Sequence, residues 1–136
     1  MRIAFFLPGL HRVSRGAEMA FEAIATGIAA LGHDEVTLVG SGKPIAGRPY
    51  HFRHSGLVPR EKFERLPRIP PFRSEYICEE TTWVLNTLPR YRPGDADLTV
   101  TCSYPFVNWM LTRWPPLARK PAHVFVTQNG DWPAFS

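Results

Sequence analysis

The sequence predicts an α/β fold, a Rossmann-like three-layer domain built on a mostly parallel sheet. Three stretches carry that prediction. Ile3-Ala4-Phe5-Phe6-Leu7 is an unbroken apolar run, as in a strand buried on both faces of a parallel sheet. Ala17, Ala20, Phe21, Ile24, Ile28 and Leu31 then recur every three or four residues, forming one stripe of an amphipathic helix. After Gly32, a left-handed helix stop, Val36-Thr37-Leu38-Val39 supplies a second strand. A strand, helix and strand in this order require a crossover connection, and parallel strands need both faces covered.

The first loop, Pro8 to Glu18, lies where the first strand ends and the helix begins. In open α/β sheets ligands bind at that edge, because helix N-termini direct unpaired N–H groups there. The loop lacks Gly-x-Gly-x-x-Gly, having only Gly9 and Gly16, and no acid closes the second strand, which runs into Gly40-Ser41-Gly42. No Gly-Lys-Ser/Thr follows either, so a dinucleotide enzyme and a P-loop NTPase both fit poorly.

Arg15-Gly16-Ala17-Glu18, and then Leu31-Gly32-His33-Asp34-Glu35-Val36-Thr37-Leu38, resemble the opening of the retaining GT-B glycosyltransferases of family 4. In those enzymes a Gly-Gly-Ala-Glu turn precedes a long helix ending in Leu-Gly-His-Glu-Val-Thr-Leu. This chain has Arg15 in place of the first glycine and an extra acid before the second strand. The likeness covers residues 1–40 and thins afterwards. It implies that the glycine turn, Ser14-Arg15-Gly16, lies against a donor diphosphate. It also implies a second domain holding most of the sugar-nucleotide site, with a Glu-x7-Glu pattern that is absent here. The expectation is therefore one globular domain over residues 1–136, the amino-terminal, acceptor-side half of a retaining hexosyltransferase. It would be inactive without its donor-binding partner domain, supplied in cis or in trans.

Residues 43–73 change character. They hold six prolines and eight Lys or Arg against Glu61 and Glu64, a larger surplus than the +4 of the whole chain. This reads as a loop-rich basic insertion. Tyr50 to His54 makes a short strand and Glu61 to Leu66 one or two helical turns. The insertion is either a solvated surface or a collar for an anionic partner such as phospholipid head groups or a lipid-linked phosphosugar. Aromatic residues do not alternate with the basic ones, which argues against nucleic acid. His51 and His54 point to opposite faces of an extended segment, so no metal pair is expected. His33 reads as a helix-end residue facing the last carbonyls.

Ser74 is a plausible N-cap for a helix running to Leu88, ended by Pro89. Glu79 and Glu80 diverge by about 100° on it and cannot act as paired carboxylates. Glu80 is expected in solvent and Glu79 towards the arginine-rich insertion. Pro93-Gly94-Asp95 is turn chemistry. Asp97 to Cys102 is a strand, Phe106 to Trp114 a helix broken by Pro115-Pro116, and His123 to Thr127 the last strand.

Three strand ends thus reach one edge: His11 to Gly16, Cys102 to Pro105, and Gln128 to Trp132. Their residues suit a sugar. Gln128, Asn129 and Asp131 can hold hydroxyls, Trp132 can stack on a C–H face, and Tyr104 stands in the middle turn. Asp131 is the candidate base or orients the acceptor hydroxyl, with Asn129-Gly130-Asp131 as a plain turn the alternative reading. Gln128 stands nearest the position where the family commonly has a histidine.

Cys78 and Cys102 are too few for a disulfide framework or a zinc ribbon. The first apolar run is too short for a signal peptide, and no stretch approaches the roughly 20 apolar residues of a membrane span. The expected setting is cytoplasmic, with peripheral membrane contact as an option. A nucleotide sugar is the expected co-substrate and a carbohydrate or lipid-linked molecule the acceptor, with no cofactor and no metal. The alternatives are a non-catalytic module binding carbohydrate or lipid head groups, possibly complementing a separately encoded partner, and a basic membrane-surface adaptor.

Overall fold

Side chains alternate between the two faces of a strand, and that alternation decides the layering here. The computed structural model describes residues 1–12, 16–56, 75–102, 104–114, 116 and 118–126, with backbone alone at 75–79 and 105. Within them lie β1 (Arg2–Phe6), β2 (Glu35–Gly40), β3 (His51–His54), β4 (Leu98–Cys102) and β5 (Ala122–Val126). Their order is β3-β2-β1-β4-β5 and every described pairing is parallel. The α/β Rossmann-like expectation holds. The strand order reverses between β1 and β4, the place where doubly wound sheets open a crevice.

Among the described residues three helices cover the sheet: α1 (Gly16–Ala30), α2 (Glu75–Thr87) and α3 (Pro105–Arg113). Ile3, Phe5, Val36, Leu38 and Val100 pack with Phe21 and Ala25 of α1. Ala4, Phe6 and Val39 turn the other way, against Trp83 and Val84 of α2 and Val107, Met110 and Leu111 of α3. β1 is therefore apolar on both sides, as its unbroken run requires. Phe5 and Phe21 meet edge to face at 5.5 Å, fixing α1 on its layer.

The outer part of the α3 layer is polar but internally satisfied. Thr101 Oγ1 donates to the Phe6 carbonyl at 2.7 Å. His123 on β5 has Nδ1 2.8 Å from Thr99 Oγ1 and Nε2 2.8 Å from Asn108 Oδ1. Burial lowers the His123 pKa, so the neutral ring links β4, β5 and α3.

The buried stripe of α1 differs from the predicted one. Ile24 is 49% exposed and Leu31 70% exposed, whereas Glu18, Phe21 and Ala25 are buried. Leu31 lies beyond the last helical residue, so it never joins the face. Ala25 rather than Ile24 occupies the position between Phe21 and Ile28, letting helix and sheet approach closely. Gly32 ends α1 with φ +77°, as its position predicts.

Two short 3-10 turns, Leu88–Arg90 and Pro93–Asp95, connect α2 to β4. The helical turns expected at Glu61 to Leu66, the Ser74 cap and the Glu79 side chain lie outside what the structure describes. His33 is exposed and makes no hydrogen bond among the described residues.

Candidate functional site

The crevice edge begins with the loop after β1, whose described part is fastened to the tail of β2. Leu10 N–H donates to the Leu7 carbonyl and Arg12 N–H to the Gly9 carbonyl, so residues 7–12 form two successive turns. Ser41 donates both its N–H and its hydroxyl to the Pro8 carbonyl, at 3.0 and 2.5 Å, and Gly42 N–H donates to the Leu10 carbonyl. Gly40 and Gly42 make this contact possible. A Cβ on Gly40 would stand 2.5 Å from Leu10 Cβ and 2.7 Å from its carbonyl oxygen, and one on Gly42 would collide with the His11 backbone. The glycines at the β2 end thus serve backbone packing rather than a ribose.

His11 turns the loop with φ +62°, a left-handed conformation that few non-glycine residues adopt. Its ring is held from three sides. It stacks on Phe52 of β3 with centroids 4.0 Å apart and planes within 1°. Nδ1 lies 2.9 Å from the Lys43 carbonyl, an acceptor only, so Nδ1 carries a proton. Nε2 lies 2.6 Å from the Tyr50 hydroxyl, which is also 3.3 Å from Glu22 Oε1. Arg48 pairs with that same carboxylate oxygen at 3.4 Å. Burial, reinforced by the Glu22 charge, pushes the Tyr50 pKa up to about 12, so the hydroxyl keeps its proton at neutral pH. The chain His11–Tyr50–Glu22–Arg48 ties loop, β3 entry and α1 together.

Sequence reasoning missed this cluster, since its members are up to 39 residues apart. The available signal was a histidine within a Pro-Gly turn and a tyrosine at the mouth of a strand.

The second part of the edge is the turn from β4 into α3. Tyr104 is half-buried and packs against both hydrophobic clusters. Its N–H donates to the Cys102 carbonyl at 2.5 Å and its carbonyl accepts from Asn108 N–H at 2.9 Å. Tyr104 holds the N-cap position without capping through its side chain. Glu80 of α2 does that work: its Oε1 accepts from Phe106 N–H at 2.6 Å and Val107 N–H at 3.1 Å.

The expectation that Glu80 lies in solvent is therefore wrong. Glu80 is only 4% exposed, because α2 packs on α3 and aims the carboxylate at the orphan N–H groups of the helix start. Burial raises its pKa to about 7, and the two backbone donors hold it from rising further. The α3 N-terminus is consequently occupied by a carboxyl group of the protein itself.

Gly16 is the first residue of α1 and is exposed, with no heavy atom among the described residues within 4 Å of where a Cβ would stand. Glu18 in the same turn is buried and complements the positive end of the helix. Of the sequence-predicted site residues, Gly16 and Tyr104 thus sit at the carboxyl ends of neighbouring strands β1 and β4. Ser14, Arg15, Gln128, Asn129, Asp131 and Trp132 lie outside the described residues. Among the described residues, no three His, Cys, Asp or Glu side chains converge to hold a metal ion, and no helix is long and apolar enough to cross a membrane.

The chain matches no family model, and no curated protein matches it.

Proposed function

We propose that this chain is the acceptor-side half of a retaining glycosyltransferase that moves a sugar from a nucleotide donor to a carbohydrate or lipid-linked acceptor. The observation that carries the reading is the Arg15-Gly16-Ala17-Glu18 motif, whose Gly16 opens α1, followed by the Leu31 to Leu38 run into β2. Two features support it. The exposed start of α1 stands at the reversal of strand order, where N–H groups and helix dipole favour a diphosphate. The competing helix start, that of α3, is filled by Glu80.

In this proposal Ser14, Arg15 and Gly16 receive the diphosphate. Tyr104, Gln128, Asn129 and Trp132 contact the sugar or acceptor. Asp131 takes the proton of the acceptor hydroxyl as its oxygen bonds to the anomeric carbon, and the nucleoside diphosphate departs with the electron pair of the broken bond. The donor-binding domain comes in cis or trans, the setting is cytoplasmic, and the basic stretch meets anionic lipid.

A panel of UDP-, GDP- and dTDP-sugars tests the proposal in the natural reading frame that contains this chain. We expect transfer from one of them, none by residues 1–136 alone, and loss of transfer in Gly16→Val with the melting temperature of the isolated chain nearly unchanged. A Cβ here meets no heavy atom within 4 Å among the described residues, so the fold tolerates it while a phosphate would be displaced from the N–H groups. Multiple turnovers by the isolated chain, or normal transfer by Gly16→Val, refute the assignment.

A further inference from the structure

The layer opposite α1 is not fully covered by the described elements. α2 and α3 pack against Ala4, Phe6 and Val39 from the β1 and β4 side, and a cavity of about 350 Å³ opens beside them over β1, β2 and β3. Its floor is Ala4, Phe6, Thr37 and Val39, and one wall is Thr87, Tyr91 and Ala96 from the end of α2 and the turns that follow. Small-molecule pockets start near ~300 Å³, so the space fits a compact ligand.

The charge of the lining is uneven. Four arginines, Arg2, Arg53, Arg90 and Arg92, face two carboxylates, Glu35 and Asp95. Arg53 pairs with Asp95 at 3.5 Å and Arg2 with Asp97 at 3.4 Å. Glu35 lies beside Arg2 in the strand register and 3.8 Å from His51. Arg90 and Arg92 have no acidic partner among the described residues. Both belong to ordered turns, closed by Tyr91 N–H on the Leu88 carbonyl and Asp95 N–H on the Arg92 carbonyl. Two hydroxyls in the lining, Thr37 and Ser55, have no hydrogen-bond partner among the described residues, whereas Thr87 spends its own on the Trp83 carbonyl.

We propose that this cavity binds a phosphate monoester with a flat body, the phosphate on Arg90 and Arg92 and the body between Phe6, Val39 and Tyr91. Two guanidinium groups without a carboxylate match the charge of a phosphate monoester, about −1.5 to −2 near neutral pH, and guanidinium offers paired donors to its oxygens. A carboxylate would satisfy only one of them. Tyr91 suits the wall because its ring already meets Phe6 edge to face at 5.8 Å, which leaves an aromatic corner for a planar group. The site lies on a sheet face and does not depend on the transferase proposal for the strand-end edge.

The test uses the full chain and three probes followed by amide NMR shifts: adenosine monophosphate, adenosine and inorganic phosphate. Adenosine monophosphate should shift Thr37, Ser55 and Tyr91 saturably and bind more tightly than either part. The double variant Arg90→Gln/Arg92→Gln should weaken it about tenfold or more, because two charge-assisted contacts are lost. Its melting temperature should stay the same, since both side chains are exposed. Adenosine binding as tightly as its monophosphate, equal affinity in the double variant, or shifts confined to Gly16 and Tyr104 at the strand ends would each overturn the assignment. The last of these would at the same time favour the strand-end site, so the two proposals fail separately.

Discussion

Replacing Glu80 by Gln should stabilise the protein at neutral and higher pH, although it removes a charge from a helix cap. Glu80 keeps its proton in the folded chain up to about pH 7, against 4.5 for an ordinary glutamate. Between those values the folded state binds a proton that the unfolded state does not, so the Glu80 contribution to stability falls as pH rises through that window. At about 1.36 kcal/mol per pH unit, the interval amounts to roughly 3 kcal/mol. Glutamine keeps an oxygen for Phe106 and Val107 N–H and has nothing to titrate. The opposing contribution, attraction of the carboxylate to the positive end of α3, is smaller at about 0.3–1 kcal/mol. Urea unfolding of both proteins near pH 4.5, 6 and 8 reads the effect, and other titrating groups cancel in the difference. The glutamine variant should gain relative to the parent by up to about 3 kcal/mol across the window and then level off. A difference that stays flat, or runs the other way, would show that the helix start and its two N–H groups outweigh burial.

Gly42→Ala should destabilise the fold by about 1–3 kcal/mol, read as a lower melting temperature, because the new methyl meets the His11 backbone and no flexible side chain can yield. An unchanged melting temperature would mean that residues 7–12 reposition freely. Binding to vesicles should increase with acidic lipid and decrease with salt, at about 1 kcal/mol per basic residue near the surface. Reversing Arg60, Lys62, Arg65 and Arg68 to Glu should abolish it. Equal binding before and after that reversal would assign the basic stretch to solvent alone.

The layers were legible in the sequence because each strand is a local pattern. The runs from Ile3 and Val36 are apolar on both faces, and both strands lie inside the sheet. The α1 stripe was less legible for the same reason that it packs closely. With alanine at positions 17, 20, 23, 25, 29 and 30, two lines of three- and four-residue steps pass through Phe21 and Ile28, and only packing chooses Ala25 over Ile24. Glu80 could not be placed from its own neighbourhood, since the N–H groups that draw it inward lie on a helix more than 25 residues away. His11 is similar: its partners Lys43, Tyr50 and Phe52 come from the stretch leading into β3 and from β3 itself. At the candidate site, the glycine motif is local and the start of α1 was foreseen, whereas the carboxyl group that caps α3 from within was not.

The union of the first loop with the tail of β2 has a consequence for altering ligand preference. Residues 7–12 do not set their shape alone; besides their own two turns, Ser41 and Gly42 hold it through three hydrogen bonds, and the methyl-free backbones of Gly40 and Gly42 lie against it. A loop transplanted from another protein would therefore arrive without its mould unless residues 40–43 travelled with it. Conversely, variation at Ser41 offers a remote dial: removing its hydroxyl takes one of the three hydrogen bonds from behind the crevice wall and leaves every residue that would touch a ligand chemically intact.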